Sequence, residues 1–164
     1  MKRFTRTLLL GTLLGCAAQG WAATTTTSFS VTATVVPTCA VSAAALNFGA
    51  AIPNPINSNV DAQGSVTATC STSAPYAIAL SVGSGAGATF ASRKMTSGPN
   101  VLNYSLYTDA GRTSVWGDSS GGSTVFNGSG NGAAQVVPVY GRIPTGQTVA
   151  TGAYTDTIIV TLTF

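Results

Sequence analysis

The sequence predicts an all-β domain whose strands pack as two antiparallel sheets. Three observations lead there. Apolar and polar residues alternate with a period of two through most of the chain, the signature of half-buried strands. The alternating runs are short, and clusters of Gly, Pro, Asn and Ser separate them, as turn chemistry requires. No stretch sustains an i, i+3, i+4 pattern, and an alanine patch at 43–45 is too short to count.

Residues 1–22 stand apart. Lys2, Arg3 and Arg6 form a basic start, residues 8–14 an apolar core broken only by Gly11 and Thr12, and Gly20 and Ala22 supply small residues before a cleavage point. That is the layout of a secretory signal peptide, cut after Ala22. The apolar run falls short of the roughly 20 residues that span a bilayer. A competing cut would leave Cys16 lipidated as a lipoprotein anchor, but Leu14 is a poor fit to the small residue such a site prefers.

The strands follow in order. Phe29, Val31, Ala33 and Val35 alternate with Ser and Thr in a segment of residues 23–36, and Pro37, which cannot donate to a ladder, closes it. Val66, Ala68 and Cys70 make the next face, then Tyr76, Ile78, Leu80 and Val82, then Leu102, Tyr104 and Leu106. Val137, Val139 and Ile143 share a face around Gly141. At the end, Ile158, Val160, Leu162 and Phe164 face one way and Thr157, Thr161 and Thr163 the other, with Ile159 the exception. Loops are expected at 53–59, 83–87, 97–100, 117–123 and 127–132. Several short strands in one domain suggest an immunoglobulin-like sandwich over residues 37–164.

Charge narrows the function classes. The leader holds three of the chain's seven basic residues. Beyond it Arg93, Lys94, Arg112 and Arg142 balance Asp61, Asp109, Asp118 and Asp156, so no basic patch remains to argue for nucleic acid or an anionic membrane. Soluble enzymes carry about a quarter charged residues. This Thr-, Ser-, Gly- and Ala-rich chain carries far fewer, as suits packing against other subunits. With no histidine there is no base for a Ser–His–Asp triad, so Gly117-Asp118-Ser119-Ser120 reads as a loop. The glycine-rich stretches at 83–87 and 128–132 lack the strand–helix context of a phosphate loop. No catalytic residue, cofactor or small-molecule substrate is expected. Two thiols and scattered Asp make no metal site. Trp116, Tyr107 and Tyr140 are the residues a sugar-binding face would use, although aromatics in a sandwich more often pack within it.

Cys39 and Cys70 remain as an even pair after the leader, and export makes a disulfide their default state. The alternation runs up to Phe164, whereas a spare alternating segment precedes Cys39. A sandwich ending one strand short would leave an apolar groove with an open edge, ready to pair with another chain. The spare segment of a neighbour is its natural partner.

These features together resemble the spore coat protein U domain family, which includes subunits of archaic, Csu-type chaperone–usher pili. The matching stretches are Leu46-Asn47-Phe48-Gly49 after Cys39, Pro75-Tyr76 after Cys70, and Arg93-Lys94-Met95. They continue with the run from Leu102 to Asp109, Trp116-Gly117-Asp118, Val139 to Ile143, and Gly152 to Ile158. The resemblance implies an incomplete immunoglobulin-like pilin sandwich lacking its last strand. In such a subunit Phe29, Val31, Ala33 and Val35 donate a strand. Ile158, Val160, Leu162 and Phe164 belong to the final strand along the acceptor groove, and Cys39–Cys70 is the family's disulfide. The implied partners are a periplasmic chaperone that lends a strand first, an outer-membrane usher, and other pilin subunits whose strand replaces the chaperone's. The implied role is a surface pilus in attachment and biofilm formation. Two alternatives remain: a secreted spore-coat-like or matrix protein, and a minor tip-proximal binding subunit.

Overall fold

The structure, a computed structural model, describes residues 20–164. Most of the expected leader therefore lies outside the described residues. The chain divides into two units, one ending at Thr34 and one running from Val35 to Phe164. In the first, residues 20–34 join no ladder, and Phe29 and Val31 are 86 % and 82 % exposed. Alternation predicts a strand there. The side chains are suited to one, but a strand without a neighbour has no hydrogen bonds to define it.

The second unit holds eight strands: β1 Cys39–Ala44, β2 Val60–Cys70, β3 Pro75–Leu80, β4 Arg93–Ser97, β5 Asn100–Tyr107, β6 Phe126–Ser129, β7 Ala134–Ile143 and β8 Val160–Thr163. They form a five-stranded sheet in the order β1-β2-β7-β5-β4 and a three-stranded sheet in the order β6-β3-β8, with every pairing antiparallel. This is the all-β fold that the alternation predicts. The stretch 127–132, expected as a loop, starts as strand: Asn127 and Gly128 pair with Ala77 and Tyr76. Gly128 serves there because the Tyr76 ring occupies the space a Cβ would need.

The period-2 faces become the core. Val66, Ala68 and Cys70 of β2, Leu102, Tyr104 and Leu106 of β5, and Val137, Val139 and Ile143 of β7 are buried on one sheet, and Tyr76, Ile78 and Leu80 of β3 on the other. Trp116 is fully buried, donates its indole N–H to the Ile78 carbonyl at 2.8 Å and lies against Phe126. Trp116 thus packs within the sandwich, the commoner place for such a ring, and is not exposed to a sugar: a large ring with one donor gains more from a core that supplies an acceptor. Tyr107 and Tyr140 are cross-strand neighbours, and the Arg112 guanidinium lies 5.8 Å from the Tyr140 ring.

Few charges are present, and they are used locally. Asp61 takes a two-pronged bond from Arg142 at 2.7 and 2.8 Å and a longer contact from Arg112 at 3.3 Å. Arg93 is fully buried and donates to the carbonyls of Ser81, Phe90 and Trp116. Burial lowers its pKa to about 10, which leaves it charged at neutral pH. Its three acceptors hold the 81–92 loop and Trp116 to β4.

Cys39 and Cys70 are disulfide-bonded at the start of β1, directly across the ladder from one another. Replacing both with Ser is expected to lower stability by about 3–4 kcal/mol on the chain-entropy scale, read as a fall of roughly 10 °C in the thermal midpoint. An unchanged midpoint would mean that the ladder alone holds β1.

Candidate functional site

The two sheets do not close at one side. β1 ends the larger sheet with β2 as its neighbour, and β8 ends the smaller with β3 as its neighbour. Hydrogen-bond alternation fixes which groups face outward. Ser71 N–H donates to the Thr38 carbonyl at 2.9 Å, continuing the β1–β2 register. Thr38, Ala40 and Ser42 therefore spend their backbone groups on β2, and Cys39, Val41 and Ala43 point theirs to the open edge. On the other sheet, Ser81 N–H donates to the Ile159 carbonyl, which leaves the Val160 and Leu162 backbone groups facing away from β3. Among the described residues these two rows of donors and acceptors have no backbone partner, and they border one gap. Val41 shows its effect. It lies on the core face opposite fully buried Ala68, yet is 40 % exposed.

A groove of about 980 Å³ opens along this side. One wall is formed by residues 43–54 and the other by residues 149–160. The floor is the core itself: Leu80, Met95, Leu102, Tyr104, Leu106 and Val139. Among the described residues, Asp156 is the one charged residue in its lining. The first wall holds to the sheet through side chains. Leu46 and Phe48 sit over Gly141, where a Cβ would come within 2.8–2.9 Å of both, and Leu46 also covers Gly64. Phe48 meets Tyr104 edge-on at 6.1 Å. Two glycines on adjacent strands thus make the hollow that seats Leu46 and Phe48. The walls meet where the Asn54 side chain donates to the Val149 carbonyl at 2.6 Å and accepts its N–H at 3.3 Å.

The second wall needs anchors, because β8 is four residues long with a ladder on one side. Asp156 supplies them. Its Oδ1 accepts from the Ser84 N–H, the Ser84 hydroxyl and the Thr157 N–H, each at 2.7 Å, and its Oδ2 accepts from the Tyr104 hydroxyl at 2.7 Å. Gly83, at φ +92°, leaves no space for a Cβ beneath the carboxylate. Burial alone would raise the Asp156 pKa, but these hydrogen bonds outweigh it and hold the carboxyl below its usual range. The Tyr104 hydroxyl is pushed up, first by burial and then by the carboxylate it binds. Farther along, the Ser81 hydroxyl accepts the Ile159 N–H at 2.9 Å and sets the register of β8.

Ile158 and Val160 line the groove. Leu162 is half-buried opposite Ile78, and Phe164, 57 % exposed, lies by a shallow hollow with Pro75 and Tyr76. Phe29, Val31, Ala33 and Val35 are all exposed. The alternation singles out none of Val41, Ile52 and Val149, and Leu46, Phe48, Met95, Tyr154 and Asp156 stand in the matching stretches with no role assigned to them there. The available signal was the spacing of Leu46 and Phe48, two large apolar residues with period 2 in an otherwise Ala-rich stretch.

An open, apolar, strand-edged groove can bind an extended peptide: the edges offer ladder bonds and the floor takes alternate side chains. The sequence profile of the Spore Coat Protein U domain matches residues 25–161. No curated protein matches the chain. Among solved structures, one chain of the CsuC–CsuE chaperone–tip adhesion subunit pre-assembly complex, from the archaic chaperone–usher Csu pili of Acinetobacter baumannii, superposes with a TM-score of 0.57 at 21 % identity. The match covers 80 % of this chain and 41 % of that one, so this chain spans less than half its length; what is shared is the fold.

Because the Asp156 pKa is depressed, its contribution to stability is present above the unfolded carboxyl value of about 3.9 and is lost as pH falls through the lower folded value. Asp156→Asn is therefore expected to be less stable than the parent at neutral pH, with the difference shrinking below about pH 4. Urea midpoints measured from pH 7 to pH 2 check this; a pH-independent gap would assign Asp156 no ionic role.

Proposed function

Since the chain belongs to the Spore Coat Protein U domain family, we propose that it is a structural subunit of a surface pilus assembled by the chaperone–usher route. The observation that carries this reading is the apolar groove between residues 43–54 and 149–160, which takes in the end of β1 and the start of β8, two edge strands whose outer backbone groups have no partner among the described residues. In this reading the leader, residues 1–22, directs export and is removed. Residues 23–36 form the donor segment, and residues 37–164 form the acceptor domain. A periplasmic chaperone lends a strand to the groove until, at an outer-membrane usher, the donor segment of the next subunit replaces it. Phe29, Val31, Ala33 and Val35 enter the groove, and Ile158, Val160, Leu162 and Phe164 flank them. The fibre serves attachment and biofilm formation, and the subunit performs no catalysis.

The energetics suit the role. Phe29, Val31 and Val35, now exposed, would each contribute roughly 1.5–3 kcal/mol on burial. Each ladder bond would add about 0.5–1.5 kcal/mol net. Such a junction is tight without covalent linkage. Because donor and acceptor are different segments of one chain, the contact is head-to-tail and propagates as a filament.

Val31→Asp is expected to abolish polymers while leaving a folded, chaperone-bound monomer, since the charge would have to enter an uncharged floor. Native gels of periplasmic extracts and electron microscopy of the cell surface check this. Normal fibres from the variant would remove residues 29–35 from the junction.

A further inference from the structure

We propose that the junction between tail and domain bars each chain from filling its own groove, so that the groove takes residues 29–35 of a second copy; this rests on the donated-strand reading above. β1 borders the groove and directly follows the tail in sequence. A chain could therefore fill its own groove only by folding the tail back on β1 as a hairpin.

Strand parity restricts that hairpin. On β1, Cys39, Val41 and Ala43 carry both the outward backbone groups and the core-facing side chains, since they stand opposite Cys70, Ala68 and Val66. Directly opposed residues share a face. A two-residue turn at Val36-Pro37 would set Thr34, Thr32 and Ser30 opposite Cys39, Val41 and Ala43. The polar face would enter the groove, and Val31, Ala33 and Val35 would face water. That turn is also barred by its residues. Hairpin turns of two residues need positive φ at the first position or at both. Val36 is β-branched, and proline is fixed near −65°. Among the described residues the non-glycines at positive φ are Ser73, Arg112 and Ser119.

The correct face requires Val35 opposite Cys39 and a three-residue loop of Val36, Pro37 and Thr38. The usual form of that loop is a type I turn followed by a left-handed residue. Proline is disfavoured at the second turn position, and Thr38 would have to be left-handed. Thr38 is already committed elsewhere. Its N–H donates to the Ser71 hydroxyl at 3.0 Å, its carbonyl accepts the Ser71 N–H at 2.9 Å, and the disulfide fixes the next residue. Longer loops consume Val35, and with it one of the four apolar side chains.

Two variants of the exported chain test this. In one, six flexible Gly/Ser residues are inserted after Val36, leaving Thr38, Ser71 and the disulfide intact. In the other, Val36→Pro, Pro37→Asp and Thr38→Gly together supply favourable three-residue loop chemistry. A tethered tail reaches its own groove at an effective concentration of order millimolar. At micromolar subunit both variants should become monomers, with tail amides protected from exchange. Their capture of an added synthetic peptide of residues 28–36 should fall about a hundredfold or more below the parent's. The parent should capture that peptide and form polymers. Overturning results are an insertion variant that polymerises and captures peptide as the parent does, or a parent monomer with a protected tail that refuses the peptide. A parent that neither captures peptide nor polymerises, with its tail unprotected, would remove the donated-strand reading as well.

Discussion

The constraint on which the rest of this structure depends is that β8 has a ladder on one side and an apolar core beneath it. A four-residue edge strand gains little from its own hydrogen bonds and would fray if it relied on them. It is held instead by side chains distant in sequence: the Asp156 carboxylate gathers donors from Ser84 and Tyr104, and the Ser81 hydroxyl takes the Ile159 amide. The result is an edge that stays ordered and open. The usual defences of an edge are lysines, proline or a bulge. Between Val160 and Phe164 the chain carries none of the first two, having Thr at alternate positions and apolar residues between.

The opposite wall is organised by a different principle. Residues 45–53 follow β1 without ladder pairing, and they are seated by Leu46 and Phe48 over the bare backbone of Gly64 and Gly141. Glycine in mid-strand weakens a strand. Here two of them, on neighbouring strands, make the space that lets a loop become part of the core. The groove is therefore bordered by one wall fixed through a carboxylate and one fixed through packing, joined at Asn54 and Val149.

Much of this was legible in the sequence, for physical reasons that differ by element. The core faces of β2, β3, β5 and β7 could be read directly, because a strand buried on one face must alternate. The disulfide was legible from the count of cysteines and the leader. β6 was not: Asn127-Gly128-Ser129 has turn composition, and its strand conformation follows from the Tyr76 ring lying over Gly128, a contact across 52 residues. Trp116 lies in the core, as aromatics of a sandwich more often do, but composition does not reveal that the Ile78 carbonyl awaits its N–H. The groove was anticipated as a gap, but its walls were not. Side-chain ties such as Asn54 to Val149, or Asp156 to Ser84, leave no periodic trace. The tail alternates as a strand does, and in the described chain it joins no ladder.

The placement of Cys39–Cys70 has a mechanical side. In a fibre of the proposed kind, tension would enter each domain at Thr38 and Cys39, the first residues after the donated segment. β1 alone would have to bear it in peeling geometry, one hydrogen bond at a time. The sulfur bridge sits at that point of entry and passes the pull to β2, which lies between two strands and is the longest in the domain. The covalent rivet is thus located where unzipping would start, and stretching force is spread in shear across the larger sheet.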